Sequence, residues 1–199
     1  MFYEPTKLDR KLLPHDPFKA LVAPRPIGWV TSMDAEGRIN LAPYSFFNAL
    51  SDDPHIVGFS SGGMKDSIRN IEATGEFVCN LVSYDLREAM NQTSKPLPYG
   101  ESEMADAGIA SAPSQKVKPP RVKDTPCALE CRFLRIVPMT PARGEARYFL
   151  VLGEVVGIYI DDRFIQEGRI DTAAMQPMAR AGYDEYAVMD KAIRMIRPG

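Results

Sequence analysis

Six or so short apolar segments with strand character are spread along the chain, and no regular alternation of strands and helices joins them. Residues 26–32 and 38–42 flank a turn at 34–37 and predict a β-hairpin. Residues 55–60 and 77–83 predict two further strands. In the absence of βαβ alternation, this pattern favours a closed or partly closed antiparallel barrel over a doubly wound sheet.

The longest strand candidates lie in the second half of the chain. Residues 127–137 and 147–161 are separated by a break at 141–144, which predicts a long antiparallel pair. Residues 93–126 contain six prolines and predict mostly loop. The segment 185–197 fits either an amphipathic helix or an extended arm.

Short helices are expected between these strands, at residues 66–73, 84–91 and 102–107. The first has candidate N-caps in Asp66 and Ser67, and Gly75 stands where a helix would end. We therefore expect the helices to be peripheral to the barrel.

The overall composition is that of an ordinary globular protein. The chain has 199 residues, 45% of them hydrophobic, which is enough for the core of a single domain spanning 1–199. The 24 Lys and Arg against 26 Asp and Glu give a formal net charge of -2, so nucleic acid is not an expected partner. No apolar run approaches the ~20 residues of a membrane span, and residues 1–10 lack a signal-peptide core. We expect a cytoplasmic protein.

Side chains that could perform catalysis by themselves are scarce. The three cysteines, Cys79, Cys127 and Cys131, form neither a disulfide framework nor a CxxC pair, and the chain has two histidines. Cys127 and Cys131 are predicted to be buried free thiols. The sequence contains no nucleophile elbow, HExxH or GxGxxG motif. We expect no metal site and no catalytic side chain, which favours a bound cofactor as the source of the chemistry.

The segment 60–67, Ser-Ser-Gly-Gly-Met-Lys-Asp-Ser, leaves a strand and enters a helix. Its two glycines allow backbone amides to approach an anion, and the helix start adds unpaired N–H groups. Lys65 contributes a full positive charge. The segment therefore suits a phosphate, although it is not a Walker loop. The alternative is a surface turn in which Asp66 or Ser67 only caps the helix.

A second informative segment, residues 40–50, mixes aromatic and small polar side chains. Such a mixture provides apolar walls and directed hydrogen bonds for a planar ligand. The alternative is that Tyr44, Phe46 and Phe47 are core residues, as is expected of Trp29.

Arg25 stands between Pro24 and Pro26, which restrict the backbone around it. An arginine held in this way could meet an anion. The alternative is an ordinary surface arginine.

Taken together, these segments resemble the flavin reductase-like proteins of the FMN-binding split β-barrel class. The matching blocks, in chain order, are residues 24–32, 40–48, 53–54, 65–71, 75–80, 119–122, 128–131 and 152–156. The resemblance covers nearly the whole chain. It implies a mainly β fold, an antiparallel split β-barrel of Greek-key type, and a homodimer with FMN near the subunit interface.

The resemblance also implies positions for the cofactor. Phosphate and ribityl contacts fall on hydroxyl, acidic and basic side chains, namely Thr31, Ser32, Ser60, Ser61, Lys65, Asp66 and Ser67. The isoalloxazine falls beside Ser45, Phe46, Phe47 and Asn48, and Arg25 is a further phosphate candidate. Members of the family usually carry Arg-Leu-Gly-Gly near the C-terminal end, where this chain has Arg180-Ala181-Gly182-Tyr183.

The activity implied is an NAD(P)H-dependent flavin reductase. NADH or NADPH would deliver hydride to flavin N5, and electrons would pass to free flavin or another acceptor, with a partner oxygenase as one destination. Backbone N–H groups and positive charge would stabilise the reduced flavin. The alternatives are a flavoprotein acting on a specific organic substrate, a non-catalytic FMN carrier, and a β-barrel that binds no flavin.

Overall fold

A computed structural model describes residues 1–198. The strands in chain order are β1 (Arg25–Pro26), β2 (Gly28–Met33), β3 (Ile39–Tyr44), β4 (Phe47–Asp52), β5 (His55–Gly62), β6 (Glu76–Asn80), β7 (Ser111–Ala112), β8 (Arg121–Val122), β9 (Cys127–Pro138), β10 (Tyr148–Ile160), β11 (Ile165–Gln166), β12 (Arg169–Ile170), β13 (Met178–Arg180) and β14 (Tyr186–Val188). The helices are α1 (Phe18–Leu21), α2 (Asp66–Thr74), α3 (Arg87–Gln92) and α4 (Glu103–Asp106), with 3₁₀ turns at Pro5–Lys7, Tyr84–Leu86 and Asp162–Phe164.

Seven of the strands form one antiparallel sheet in the order β3-β2-β6-β9-β10-β5-β4. Its two edge strands, β3 and β4, are consecutive in the chain and are joined by only Ser45 and Phe46. The sheet must therefore curl until its edges meet. The Ser60 N–H donates to the Phe46 carbonyl at 2.8 Å, which extends the pairing of β4 with β5 into this two-residue turn. The fold is mainly β, and the predicted split antiparallel barrel is confirmed.

The connection between β5 and β6 gives the barrel its Greek-key character. These two strands are not neighbours in the sheet, and α2 carries the chain between them. Ile68 and Ile71 of α2 are fully buried, and the helix packs against β2 and β3. Gly75 ends the helix in the left-handed conformation at a φ of 75°, which glycine adopts without strain.

Side chains from six strands and from α2 converge in the main core, which is centred on Phe59 and Phe77. A second cluster lies under α3 and α4 and includes Trp29. The Trp29 Nε1–H donates to Thr93 Oγ1 at 2.8 Å, which satisfies the one polar group of this buried ring. Trp29 is thus a core residue, as its mid-strand position predicts.

Most of the predicted strands and helices are present in the structure, but the predicted N-cap of α2 is wrong. The N-cap of α2 is Lys65 and no side chain caps the helix, because Asp66 is its first helical residue and the Ser67 hydroxyl accepts from Asn40 instead. Residues 40–50 form β3, a two-residue turn and β4, so their irregular pattern reflects two strands and not one segment. Within residues 185–197, β14 is followed by backbone without regular structure, which agrees with the extended alternative.

The cysteines occupy the barrel strands as free thiols. A hydrogen bond with the Cys79 thiol, together with burial, raises the pKa of Cys131 well above its usual range. Burial raises the pKa of Cys127 to about 11. These two thiols are therefore protonated at neutral pH, and they pack as small apolar side chains.

No group of three His, Cys, Asp or Glu side chains among residues 1–198 is arranged to hold a metal ion. No helix in that range is both long and apolar enough to cross a membrane.

Candidate functional site

Two concavities lie on either side of the turn between β3 and β4. The large cleft has a volume of about 970 Å³ and is lined by residues 45–48 of the turn and β4. The helix groove has a volume of about 540 Å³ and is lined by residues 42–44 of β3 and by the start of α2. The chain therefore passes directly from the wall of one concavity into the wall of the other.

The large cleft has mainly apolar walls with a basic rim. The Phe46 and Tyr148 rings meet edge to face with their centroids 6.0 Å apart. The remaining apolar lining is Phe18, Val22, Pro24, Pro26, Phe47, Leu50, Met139, Pro141 and Leu150. Lys19, Arg143 and Arg147 stand on the exposed rim, opposed by Glu145. Such a cleft suits a planar ring that carries negative charge.

Arg25 forms part of the inner wall of the large cleft and is 6% exposed. Its guanidinium donates to the carbonyls of Lys19 and Val22, and to that of Ala181 at 2.9 Å. It also lies 5.8 Å from the centroid of the Phe46 ring. Burial and the nearby charge of Arg180 lower the pKa of Arg25, yet an arginine remains charged at neutral pH. Arg25 is therefore not the ordinary surface arginine of the alternative interpretation, and its contact with an anion stays a prediction.

The start of α2 supplies the anion-binding features of the helix groove. The first intrahelical bond runs from the Arg69 N–H to the Lys65 carbonyl at 3.1 Å, so the amides of residues 66–68 precede the hydrogen-bonded turns. Together with the helix dipole they present partial positive charge. Lys65, Arg69 and Lys95 add full charges to this lining, against Asp66 and Glu103.

A hydrogen-bonded cluster holds the helix start against β3. The Asn40 Nδ2 donates to Ser67 Oγ at 2.8 Å. Burial raises the pKa of the Tyr44 hydroxyl, and the nearby Ser67 and Ser61 hydroxyls partly offset this rise. The Ser61 hydroxyl donates to the Gly63 carbonyl at 3.1 Å. Ser61 is thus buried behind the lining of the helix groove, whereas Ser60 lies in the lining of the large cleft.

The hydroxyls of Thr31 and Ser32 face the interior. Both residues are fully buried on β2 and line neither concavity. Thr31 Oγ1 accepts from Asn80 Nδ2 at 2.9 Å, and Ser32 Oγ accepts from Asn70 Nδ2 at 3.4 Å. The structure therefore separates the twelve predicted site residues into three groups. Arg25, Ser45, Phe46, Phe47, Asn48 and Ser60 line the cleft, Lys65, Asp66 and Ser67 line the groove, and Thr31, Ser32 and Ser61 lie behind them.

Several lining residues carried no recognisable signal in the sequence. Arg143 lies in the predicted break at 141–144, and Arg147, predicted as the first residue of the following strand, lies directly before β10. Glu103, in the helix groove, accepts from the Leu41 N–H at 3.2 Å. Burial raises the pKa of this carboxyl, with the nearby charge of Asp66 adding to the effect. The helical segment that contains Glu103 was predicted from the sequence, but the position of Glu103 beside the edge strand β3 was not.

An apolar, aromatic-walled cleft next in the chain to a helix start that suits an anion is typical of proteins that hold a phosphorylated planar cofactor. The sequence profile described as a flavin reductase like domain matches residues 21–173. The chain belongs to the flavin reductase-like family. It is therefore a flavin oxidoreductase by class.

Similar proteins cover almost the full length. An uncharacterized protein of Halalkalibacterium halodurans is 36% identical over 182 residues, which are 89% of this chain and 87% of that protein. The structure is similar to nitrilotriacetate monooxygenase component B from Bacillus cereus, with a TM-score of 0.89, 28% identity and 98% of each chain covered. It is also similar to the 2-nitrobenzoate 2-nitroreductase of Pseudomonas fluorescens, with a TM-score of 0.87, 29% identity, and 100% of this chain and 96% of that chain covered.

Proposed function

We propose that the protein binds FMN across the seam of the barrel and works as an NAD(P)H-dependent flavin reductase. The observation that carries this proposal is that consecutive residues of the chain line the two concavities, residues 42–44 the groove and residues 45–48 the cleft. The turn at Ser45 and Phe46 joins an apolar cleft of ring-binding character to a helix start with free amides and Lys65. A ring and a phosphate on one molecule need both environments, a short distance apart along one surface.

The residues present fit the two ends of this cofactor. The ring would lie along Ser45, Phe46, Phe47 and Asn48, with Ser60 beside it. The phosphate would be held by the amides at the start of α2, by Lys65 and by the Ser67 hydroxyl. Asp66 is the acidic residue at the start of α2 and shares the groove with Glu103, so we assign Asp66 to ribityl hydroxyls, for which a carboxylate is a good acceptor. Thr31, Ser32 and Ser61 would act indirectly, through Asn80, Asn70 and Tyr44.

When bound, FMN would supply two-electron redox chemistry at N5: NADH or NADPH would be the hydride donor, the two electrons would go on to an acceptor, and the proton would go to the acceptor or to solvent. The chain itself would orient and shield the ring. The apolar walls exclude water, and the buried charge of Arg25 favours negative charge on a molecule in the cleft. No side-chain base is needed for this chemistry, which is consistent with two histidines that both lie outside the large cleft and the helix groove.

The similar structures support two different acceptors. Similarity to a monooxygenase component favours delivery of electrons to free flavin for a partner oxygenase. Similarity to a nitroreductase favours a second candidate, reduction of a specific organic substrate at the flavin. A homodimer in the cytoplasm is proposed for either case, with the exposed Leu50 and Tyr148 of the large cleft near the partner copy.

The visible absorption spectrum of the purified protein is the direct test of flavin binding. Bound FMN gives a yellow protein, and protein that stays colourless after incubation with FMN would contradict the proposal. Stopped-flow mixing with NADH and with NADPH tests reductase activity by loss of the flavin absorbance. Bleaching by nicotinamides supports the flavin reductase, whereas oxidation of prereduced protein by nitroaromatic compounds but not by free flavin supports the second candidate. Light scattering gives the number of copies in the assembly.

A further inference from the structure

The large cleft carries four positive charges for which the described part of the chain offers no ion-pairing partner. Lys19, Arg143 and Arg147 form its rim, and Arg25 forms its inner wall. Among residues 1–198, none of these four side chains is ion-paired with a carboxylate. Glu145 is the one acidic residue of the lining.

Arg25 is the most informative of the four, because buried charges in proteins are normally paired. The side chain is 6% exposed, and its Nε is fully buried without a hydrogen-bond partner. Its remaining bonds go to neutral carbonyls, which satisfy donors but do not cancel the charge. The inner wall of the cleft therefore favours a negative charge that the protein does not itself provide.

Arg143 and Arg147 are placed differently, on the connection between β9 and β10, which lines the cleft. Both side chains are exposed, and they flank Glu145 at alternate positions. The segment is anchored at its C-terminal side by a bond from the Gly63 N–H to the Arg147 carbonyl at 3.0 Å. This bond attaches the connection to the same glycine turn that leads into α2. Both guanidiniums are thus free to reach a ligand while their backbone is fixed to the site.

The volume of the cleft allows more than one ring. At about 970 Å³ it lies at the upper end of the range for a single small-molecule site, ~300 to 1,000 Å³. The phosphate of the proposed FMN is accounted for separately, in the helix groove. The positively charged side chains of the large cleft are therefore available to bind the molecule that exchanges electrons with the flavin.

We infer that this second ligand is a planar ring compound with an anionic group, and that Arg143 and Arg147 select it by binding that group. The inference rests on the proposed function, since it assumes that FMN occupies the groove and part of the cleft. The shared chemistry is an anion attached to a flat ring. It is present in the phosphates of a nicotinamide dinucleotide and in the carboxylate of an aromatic acid.

The test compares an anionic with a neutral ligand that carries the same type of ring, on FMN-loaded protein. Isothermal titration measures the dissociation constants of benzoate and of neutral benzamide. The apparent KM of NADH is compared with that of 1-benzyl-1,4-dihydronicotinamide, a neutral hydride donor. The variant is Arg143→Gln/Arg147→Gln, and the matched control is Arg135→Gln, an exposed arginine of β9 outside the cleft.

We expect the double variant to reduce the preference for the anionic over the neutral ligand by about tenfold in at least one pair, because charge-assisted hydrogen bonds are lost. The control should leave both preferences as in the parent protein. A change confined to the NADH pair identifies the anion as the dinucleotide phosphates, and a change confined to the benzoate pair identifies it as the carboxylate of an aromatic substrate.

Unchanged preferences in both pairs would overturn the inference, as would a variant whose effect is confined to dissociation of a homodimer. Protein that takes up no FMN would instead contradict the proposed function. The two failures are distinguished by recording the flavin absorbance of every sample before titration.

Discussion

The side-chain amide of Asn80 donates to Thr31 Oγ1 and to the Trp29 carbonyl, each at 2.9 Å, while its oxygen accepts from the Val122 N–H at 2.8 Å. One fully buried asparagine thus connects β6 to β2 and to β8. Because Thr31 is occupied in this way, its hydroxyl supports the barrel beneath the proposed site.

Replacement of Asn80 should therefore reduce stability. Asn80→Ala removes three buried hydrogen bonds and leaves their partners unsatisfied, so we expect the free energy of unfolding to fall by about 3 kcal/mol. Thr31→Val removes one acceptor and should cost about 1 kcal/mol. Urea denaturation followed by tryptophan fluorescence measures both changes.

The same Thr31→Val variant also tests the cofactor contact implied by the family resemblance. If Thr31 acts only through Asn80, the variant binds FMN with a dissociation constant within about twofold of the parent. A tenfold loss of FMN affinity in a variant that remains folded would show direct contact.

Lys65 is expected to recognise the phosphate and not the ring. Lys65→Gln should raise the dissociation constant of FMN by about tenfold, because a charge-assisted hydrogen bond is lost. Riboflavin has the same ring without the phosphate, so its affinity should change little. Fluorescence quenching of the two flavins gives both constants. Lys123→Gln is the control, since Lys123 is exposed outside both concavities, and an equal loss for both flavins would contradict the assignment.

Glu103 should make stability depend on pH. Burial raises the pKa of this carboxyl in the folded protein above the unfolded value, so the folded state binds its proton more tightly. Stability is then lost as the pH rises from the unfolded pKa through the folded pKa. Glu103→Gln keeps an acceptor for the Leu41 N–H and removes the ionisation. We expect the variant to gain stability relative to the parent between pH 4 and pH 7.

Urea denaturation at both pH values checks this expectation. The exposed Glu101 lies two residues away, and Glu101→Gln controls for a general change in net charge. If Glu103→Gln and Glu101→Gln showed the same pH dependence, the effect could not be assigned to the buried carboxyl.

Substitution of two strand glycines should distinguish an effect on the stability of the barrel from an effect on the shape of the site. A Cβ at Gly153 would overlap the ring of the fully buried Phe77, so Gly153→Ala should cost about 3 kcal/mol. A Cβ at Gly28 would lie 2.7 Å from Phe47 Cδ2, and Phe47 is only partly buried. Gly28→Ala should therefore cost about 1 kcal/mol while moving Phe47.

Displacement of the Phe47 ring should change the visible spectrum of the bound cofactor. We expect Gly28→Ala to alter the visible circular dichroism of bound FMN and to weaken its binding, with Gly153→Ala leaving the spectrum of the folded fraction unchanged. An unaltered spectrum in Gly28→Ala would place the flavin ring away from Phe47.

Local pattern was sufficient to predict most of the barrel. Alternating apolar residues gave the strands, and Gly75 marked the end of α2, because these features depend on near neighbours in sequence. The turn within residues 40–50 was obscured, since a bulge between Ala49 and Ser51 breaks the two-residue period of β4.

The site could be predicted only in part, because its charges are placed by tertiary structure. The Ser60–Ser67 loop was recognisable from glycines that enter a helix. Arg25 donates to Ala181, 156 residues away in the chain, and no local pattern indicates such a partner. Arg143 and Arg147 come to the cleft through the pairing of β10 with β5, a long-range relationship that sequence spacing does not encode.

The two-residue turn between β3 and β4 has a consequence for how cofactor content should be interpreted. The stretch of backbone that joins the two edges of the sheet also lines the cleft on one side of the turn and the groove on the other, so both are complete only when these edges meet. An incompletely closed chain would have no place for a flavin. The ratio of bound flavin to polypeptide therefore reports the fraction of molecules that have completed folding, and added flavin should rescue destabilised variants by mass action.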